Sequence, residues 1–168
     1  MEIKDIKFLF DYNKWANKRM LEMVSSVDHE QFGRNLSGSF SSIRDTLLHL
    51  IGVELLWLKR WKGESLTAMP QWGEAPSLET LKNALDDIEK ERDEFLSALT
   101  EESLKQTVSF KNLKGEAFEH LLTDLFLHLV NHSTYHRGQV ANMVRQVGST
   151  AISTDLIVFK NELLANKV

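Results

Sequence analysis

The sequence contains no cysteine. That absence excludes a disulfide framework, a thiolate zinc site, an iron–sulfur cluster and a cysteine nucleophile. Any bound metal must then be held by nitrogen and oxygen. Proline is scarce, with two in 168 residues, so little interrupts long helices. No stretch approaches the roughly 18 apolar residues that a membrane span requires. The opening segment MEIKDIKFLFDYNKW is charged from its second residue and lacks the apolar core of a signal peptide. A cytoplasmic protein with no membrane partner is expected. An excess of basic residues is missing too. Twenty Lys and Arg against 24 Asp and Glu give a net charge of -4, which argues against nucleic acid as a partner.

What remains is the composition of one globular domain spanning residues 1–168. Apolar residues make up 42% and charged residues 26%, and the length suffices for a hydrophobic core. Helix formers dominate, and the patterning predicts an all-α chain. A first helix is expected from about Ile3 to Ser25. The segment HEQFGRNLSGSF, from His29, then reads as a loop leading to Ser41 or Ser42, the N-cap of a second helix that reaches about Trp61. A connection holding Gly63, Pro70, Gly73 and Pro76 precedes a third helix from Ser77 to about Leu99. The charges of that helix (Asp86, Asp87, Glu89, Lys90, Glu91, Arg92) read as a solvated face. Thr107–Leu113 alternates weakly and allows a short strand or hairpin before Lys114-Gly115. A fourth helix is expected from about Glu116 to Val147, and a short last one from about Ser153 to Leu164.

Several polar residues fall where a core is expected. The apolar stripe of the fourth helix runs through Leu121, Leu122, Leu125 and Leu129, then Val140, Met143 and Val147. His132 and His136 fill the gap on the same face. Two hydrogen-bonded core histidines are the plainer reading. An i,i+4 pair in the middle of a stripe points instead to metal, because both imidazoles can reach one ion. His128 extends the series toward the stripe's edge. The stripe of the first helix (Ile6, Leu9, Phe10, Ala16, Met20, Val24) likewise includes Asn13 and Asn17, and buried amides need partners. Glu54 falls on the apolar side of the second helix, where it could orient a histidine or meet an arginine such as Arg137. The arginine or another structural partner is the favoured reading. Phe8, Tyr12 and Trp15 form an aromatic row on the other side of the first helix. That row suggests a homodimer contact, unless the C-terminal helix covers it.

Three segments, YNKWANKRML from Tyr12, SSIRDTLLHLIGVELLWLKRW from Ser41 and HLVNHSTYHRGQV from His128, resemble the DinB/YfiT-like family of metalloenzymes. They span most of the chain, and HxxxHRGQ, His132 to Gln139, is the most specific of them. The resemblance implies a four-helix bundle with long connections and a short C-terminal helix. It also implies one divalent metal held by three histidines, here His49, His132 and His136. Helical phase places His49 beside Asp45, Gly52 and Arg60, so its assignment rests on the resemblance. Either the second helix is buried nearly all round, as Val53 and Leu56 allow, or the site lies at an open mouth. The metal is expected to be zinc or nickel, with iron, manganese or cobalt accepted by the same ligands.

Three protein ligands leave a position open, which suits catalysis. The family includes transferases and isomerases that use a low-molecular-weight thiol of the bacillithiol or mycothiol type. The resemblance therefore implies transfer of such a thiol to a small electrophile. The chain has no thiol of its own, so the sulfur must come from outside. Metal-dependent hydrolysis on the same site and a non-catalytic, metal-binding stress-response dimer are the alternatives. Arg137 is read as a surface ion-pair donor, Gln139 as an amide bonding across the bundle, and Gly138 as a point of close helix approach.

Overall fold

The computed structural model describes residues 1–166. Four long helices form the bundle: α1 (Ile3–Val24), α3 (Ile43–Trp61), α4 (Leu78–Ser97) and α5 (Leu122–Gln146). Two short helices accompany them, α2 (His29–Gly33) and α6 (Leu156–Ala165), with a two-stranded antiparallel hairpin, β1 (Thr107–Lys111) and β2 (Ala117–Leu121). Among the described residues, no helix is long and apolar enough to cross a membrane. The helix starts follow local chemistry. The Ser42 hydroxyl accepts the Asp45 amide at 3.1 Å, and the Ser77 hydroxyl accepts the Thr80 amide at 3.0 Å. Each satisfies one of the backbone donors that a helix leaves open at its first turn.

α5 packs against both α1 and α3, and α3 also packs against α4. Phe10, Trp61 and Phe126 meet edge to face, with Trp61 and Phe126 centroids 4.8 Å apart. Such pairs contribute about 0.5–1.5 kcal/mol each beyond the area they bury. α3 is buried on nearly every side, Val53 and Leu56 included, which settles how His49 can lie off the main stripe and still face inward.

Three expectations are corrected here, and one open alternative is decided. The segment after His29 is not all loop, because the Asp28 carboxylate accepts the Gln31 amide at 2.8 Å and starts α2. α5 begins at Leu122 rather than Glu116. Asn112 accepts the Lys114 and Glu116 amides, and Gly115 takes a positive φ of 85° that favours glycine. The turn folds AFEHL back onto TVSFK, so strand pairing overrides the helix preference of Ala, Glu and Leu. Third, the charges of α4 are not all solvated, since Glu89 and Arg92 are buried.

Of the two readings of the aromatic row of α1, coverage by the C-terminal helix holds, because α6 of the same chain lies on it. Phe159 packs on Phe8, Tyr12 and Trp15 with centroids 5.4–6.0 Å away. The Trp15 indole N–H donates to Glu162 at 2.8 Å, and the Tyr12 hydroxyl donates to the Thr154 carbonyl at 3.0 Å. The row therefore gives no argument for a second copy.

Candidate metal centre

A buried polar network crosses the middle of the bundle. Asn13 and Asn17 of α1, Glu54 of α3, Glu89 and Arg92 of α4, and Ser133 and Arg137 of α5 are all buried. One Glu54 oxygen accepts from Asn13 at 2.8 Å, Ser133 at 3.0 Å and Asn17 at 3.2 Å, while the other pairs with Arg92. The Arg137 guanidinium donates to the side-chain oxygens of Asn13 at 2.7 Å and Asn17 at 2.9 Å. Burial alone would push the Glu54 carboxyl up. Arg92 and the three donors outweigh it and hold the group below the usual carboxylate range.

This network corrects two readings of the sequence. Arg137 is not on the surface, and the arginine paired with Glu54 is Arg92. The sequence put the core line of α5 through His132 and His136, but the deepest line is the neighbouring one, Ser133 and Arg137, both fully buried. Arginine is placed outside by default, and the asparagine oxygens opposite, with the Thr134 hydroxyl at 2.8 Å, make its burial tolerable.

With Ser133 and Arg137 turned to the bundle centre, His132 and His136 turn toward α3. There they meet His49, which the family resemblance assigned and helical phase left unplaced. The Nε2 atoms of His132 and His136 are 3.1 Å apart, and those of His49 and His132 are 3.4 Å apart. Three nitrogens around one tetrahedral ion, each about 2.0–2.1 Å from it, would sit about 3.3 Å from one another. The spacing therefore fits a single ion, and all three histidines offer a ligand atom within 4.8 Å of the others. His128 is not part of the group. Its ring lies edge to face on Trp57 at 5.0 Å, and 5.9 Å from the ring of His132.

The protonation states suit a metal. Burial, reinforced by the neighbouring imidazoles, lowers His49 and His132 to about 4. Burial also lowers His136, partly offset by its hydrogen bond to Gln139. At neutral pH each imidazole is uncharged and has a lone pair to give. For His136 the tautomer follows from its partner. Gln139 Oε1 lies 2.7 Å from Nδ1 and can only accept, so Nδ1 carries the proton and Nε2 faces the group with its lone pair. Gln139 thus bonds within its own helix, not across the bundle. Its spacing of three from His136 is a signal the sequence carried and the reading missed. Gln139→Leu is expected to weaken metal binding by about 10–100-fold, measured by competition with a chromophoric chelator.

The surroundings are aromatic and apolar. Phe40, which sequence reasoning did not single out, stacks on His49 at 4.4 Å and meets His136 edge-on at 5.6 Å. The exposed Tyr135 ring lies 5.0 Å from His136. A mainly apolar cavity of about 230 Å³ beside His49 is lined by Phe40, Leu48, Met69 and Pro70, with Asp45 and Gln71 also in its wall. The close approach expected at Gly138 occurs instead at Gly52, where an added Cβ would lie 2.9 Å from the Met69 Cε. At Gly138 nothing lies within 4 Å. Gly52 thereby lets the Met69-Pro70 segment settle against α3 and wall the cavity. Larger cavities run along α1 and α4, lined by Lys14, Asp86 and Glu89, and include none of the histidines.

Glu89 adds a pH dependence to the fold. Burial raises its carboxyl to about 7; Arg92 opposes the shift and the Glu54 charge adds to it. Between the ordinary value near 4.5 and about 7, the folded chain holds a proton that the unfolded chain has released. Glu89 therefore takes stability away as pH rises through that window. Urea unfolding from pH 4.5 to 7 is expected to show wild type losing stability relative to Glu89→Gln, with the gap flat above the window.

The fold and site together define a helical bundle that gathers three histidines into a group able to hold a metal ion. The sequence profile of the DinB family matches residues 3–164, and the chain belongs to that family. It is 26% identical over 154 residues to the protein DinB of Bacillus subtilis (strain 168), covering 88% of each chain. It is 22% identical over 148 residues to the uncharacterized protein YizA of the same organism, covering 88% of this chain and 91% of that one. The crystal structure of a DinB-like protein from Bacillus cereus ATCC 10987 has the same fold. Its TM-score is 0.67 at 18% identity, covering 87% of this chain and 94% of that chain.

Proposed function

We propose that the protein binds one divalent transition metal through His49, His132 and His136, and uses it to transfer a low-molecular-weight thiol to a small electrophile. The observation that carries this reading is the convergence of three neutral imidazoles at the spacing of one tetrahedral ion. The expected ion is zinc or nickel, and iron, manganese or cobalt can occupy the same ligands. A divalent ion, when bound by these histidines, would supply a Lewis acid that lowers the pKa of a thiol beside it.

The protein's own residues do the rest. Gln139 fixes the His136 ring so that its lone pair stays turned to the group. Phe40 covers one side of His49 and keeps bulk water from that face. The mainly apolar cavity of Phe40, Leu48, Met69 and Pro70 can hold the electrophile beside the site. Sulfur arrives from outside, since the chain has no cysteine. The new bond is sulfur to carbon, the leaving group departs with its electron pair, and the thiol proton goes to solvent.

The test is a panel of thiols with 1-chloro-2,4-dinitrobenzene, in which sulfur replaces chloride and the product is coloured. Metal-loaded protein is expected to accelerate the reaction with at least one thiol, and His132→Ala to abolish the acceleration. No acceleration by any thiol at full metal occupancy would overturn the transferase reading. Metal-dependent ester cleavage in that case would assign the site to hydrolysis.

A further inference from the structure

Glu89 turns inward from α4, with its side chain 9% exposed. Its partners all fall on one oxygen. Oε1 accepts from the Asn17 amide at 3.3 Å and lies 3.6 Å from the Arg92 guanidinium. Oε2 has no partner among the described residues, and protein does not seal it in. Glu89 lines a cavity of about 410 Å³ between α1 and α4, into which that oxygen opens. A buried carboxylate with a bare oxygen is costly unless a donor or cation answers it. The protein's own groups fall short. Arg92, Asn17 and Lys14 all favour the charged form, yet burial still raises the carboxyl to about 7.

The other charges of the cavity are balanced at its mouth. Lys14 is held by Asp93 at 2.8 Å and is half exposed. Lys18 has Glu22 four residues on along α1, and Lys82 has Asp86 four residues on along α4. Lys82 is further held by the Ser25 hydroxyl at 3.0 Å. Water screens these outer charges. Glu89 remains, deep and unbalanced, and acts through the low-dielectric interior. Beside it the lining is apolar, formed by the buried Leu21 and Leu85. At about 30 Å³ per water the space holds roughly fourteen waters, enough for an ammonium group on a body of about six carbons.

We propose that this cavity binds a small organic ammonium ion, with its charged nitrogen on Glu89 Oε2 and its carbon body on Leu21 and Leu85. None of the three clustered histidines lines it, so the assignment is independent of the metal-centred reading. Binding is coupled to protons. Lys14, Lys18 and Glu22 face Glu89 from α1, and Arg92, Asp86 and Asp93 from its own helix. Glu54 of α3 adds its charge from the interior, and Arg137 of α5 is held by the same Asn17. An ammonium ion pairs with the ionised carboxylate, so below about pH 7 it must expel the proton that Glu89 holds.

The test is calorimetry of the full chain with n-hexylamine, 1-hexanol and hexanoate, probes of one length and different charge. Above about pH 7, hexylamine is expected to bind at least about tenfold tighter than hexanol, with hexanoate weakest. Its affinity is expected to fall about tenfold per pH unit below about 7, with proton release seen as a heat that depends on the buffer. Glu89→Gln is expected to weaken hexylamine at least about tenfold and to remove the pH dependence. His132→Ala is expected to bind hexylamine as wild type does. Loss of binding in that variant would put the amine on a metal ion at the histidines and overturn the cavity assignment. Equal affinity for hexylamine and hexanol, or tighter binding of hexanoate, would also overturn it, and this comparison needs no variant. So would the absence of hexylamine binding at millimolar concentration, or a folded Glu89→Gln protein that binds it as wild type does.

Discussion

Replacing His132 with alanine is expected to weaken metal binding by more than about 100-fold while leaving the fold intact. His132 is the middle of the group, with its Nε2 within 3.4 Å of the Nε2 atoms of both His49 and His136. Losing only the partner of a ligand costs roughly 10–100-fold, and losing the ligand itself must cost more. The bundle does not depend on this ring, because Leu129, Ser133, Arg137 and Val140 hold α5 in place from its fully buried line. Metal analysis of protein purified without a histidine tag, together with a thermal melt, checks both halves. Unchanged metal content in the variant would mean that the ion sits elsewhere.

Replacing Glu54 with alanine is expected to cost about 3–5 kcal/mol of stability, the usual result of removing one side of a buried ion pair. For a chain of this size that corresponds to a Tm lower by about 10 °C. Glu54 is 1% exposed and is the acceptor for Asn13, Asn17, Ser133 and Arg92. Without it, Arg92 keeps a buried charge that only Glu89 partly answers, at 3.6 Å. Glu54→Gln keeps the volume and one acceptor oxygen, so it is expected to fall between wild type and alanine in urea unfolding. A loss below about 1 kcal/mol for alanine would place Glu54 among ordinary surface charges. The same carboxylate bears on the histidines, since Ser133 adjoins His132 and Arg137 adjoins His136. The network sets the rotation of α5, and that rotation aims both rings at α3.

Much of this was legible in the sequence. The four long helices follow from apolar periodicity and from Ser42 and Ser77 as caps, and the buried Asn13, Asn17 and Glu54 from their place within apolar stripes. The histidine pair could be read from its i,i+4 spacing, but His49 could not be read from phase. Its own helix is buried on almost all sides, so a single stripe no longer says which way a residue faces. Arg92 and Arg137 were misread for a related reason: a charge enters a core only when partners on other helices are already in place. Those partners lie 38 and more than 100 positions away along the chain. Likewise the start of α5 depended on where AFEHL found a strand to pair with, a fact written partly in Thr107–Lys111 and partly in the turn between.

The central claim, one metal ion on three imidazoles, is tested most directly by X-ray absorption spectroscopy of tag-free protein reconstituted with one equivalent of zinc. Stoichiometric uptake is expected, with three imidazole nitrogens at about 2.0 Å around the zinc and their outer-ring scattering visible. Failure to take up the metal, or a first shell of oxygen alone, would contradict it.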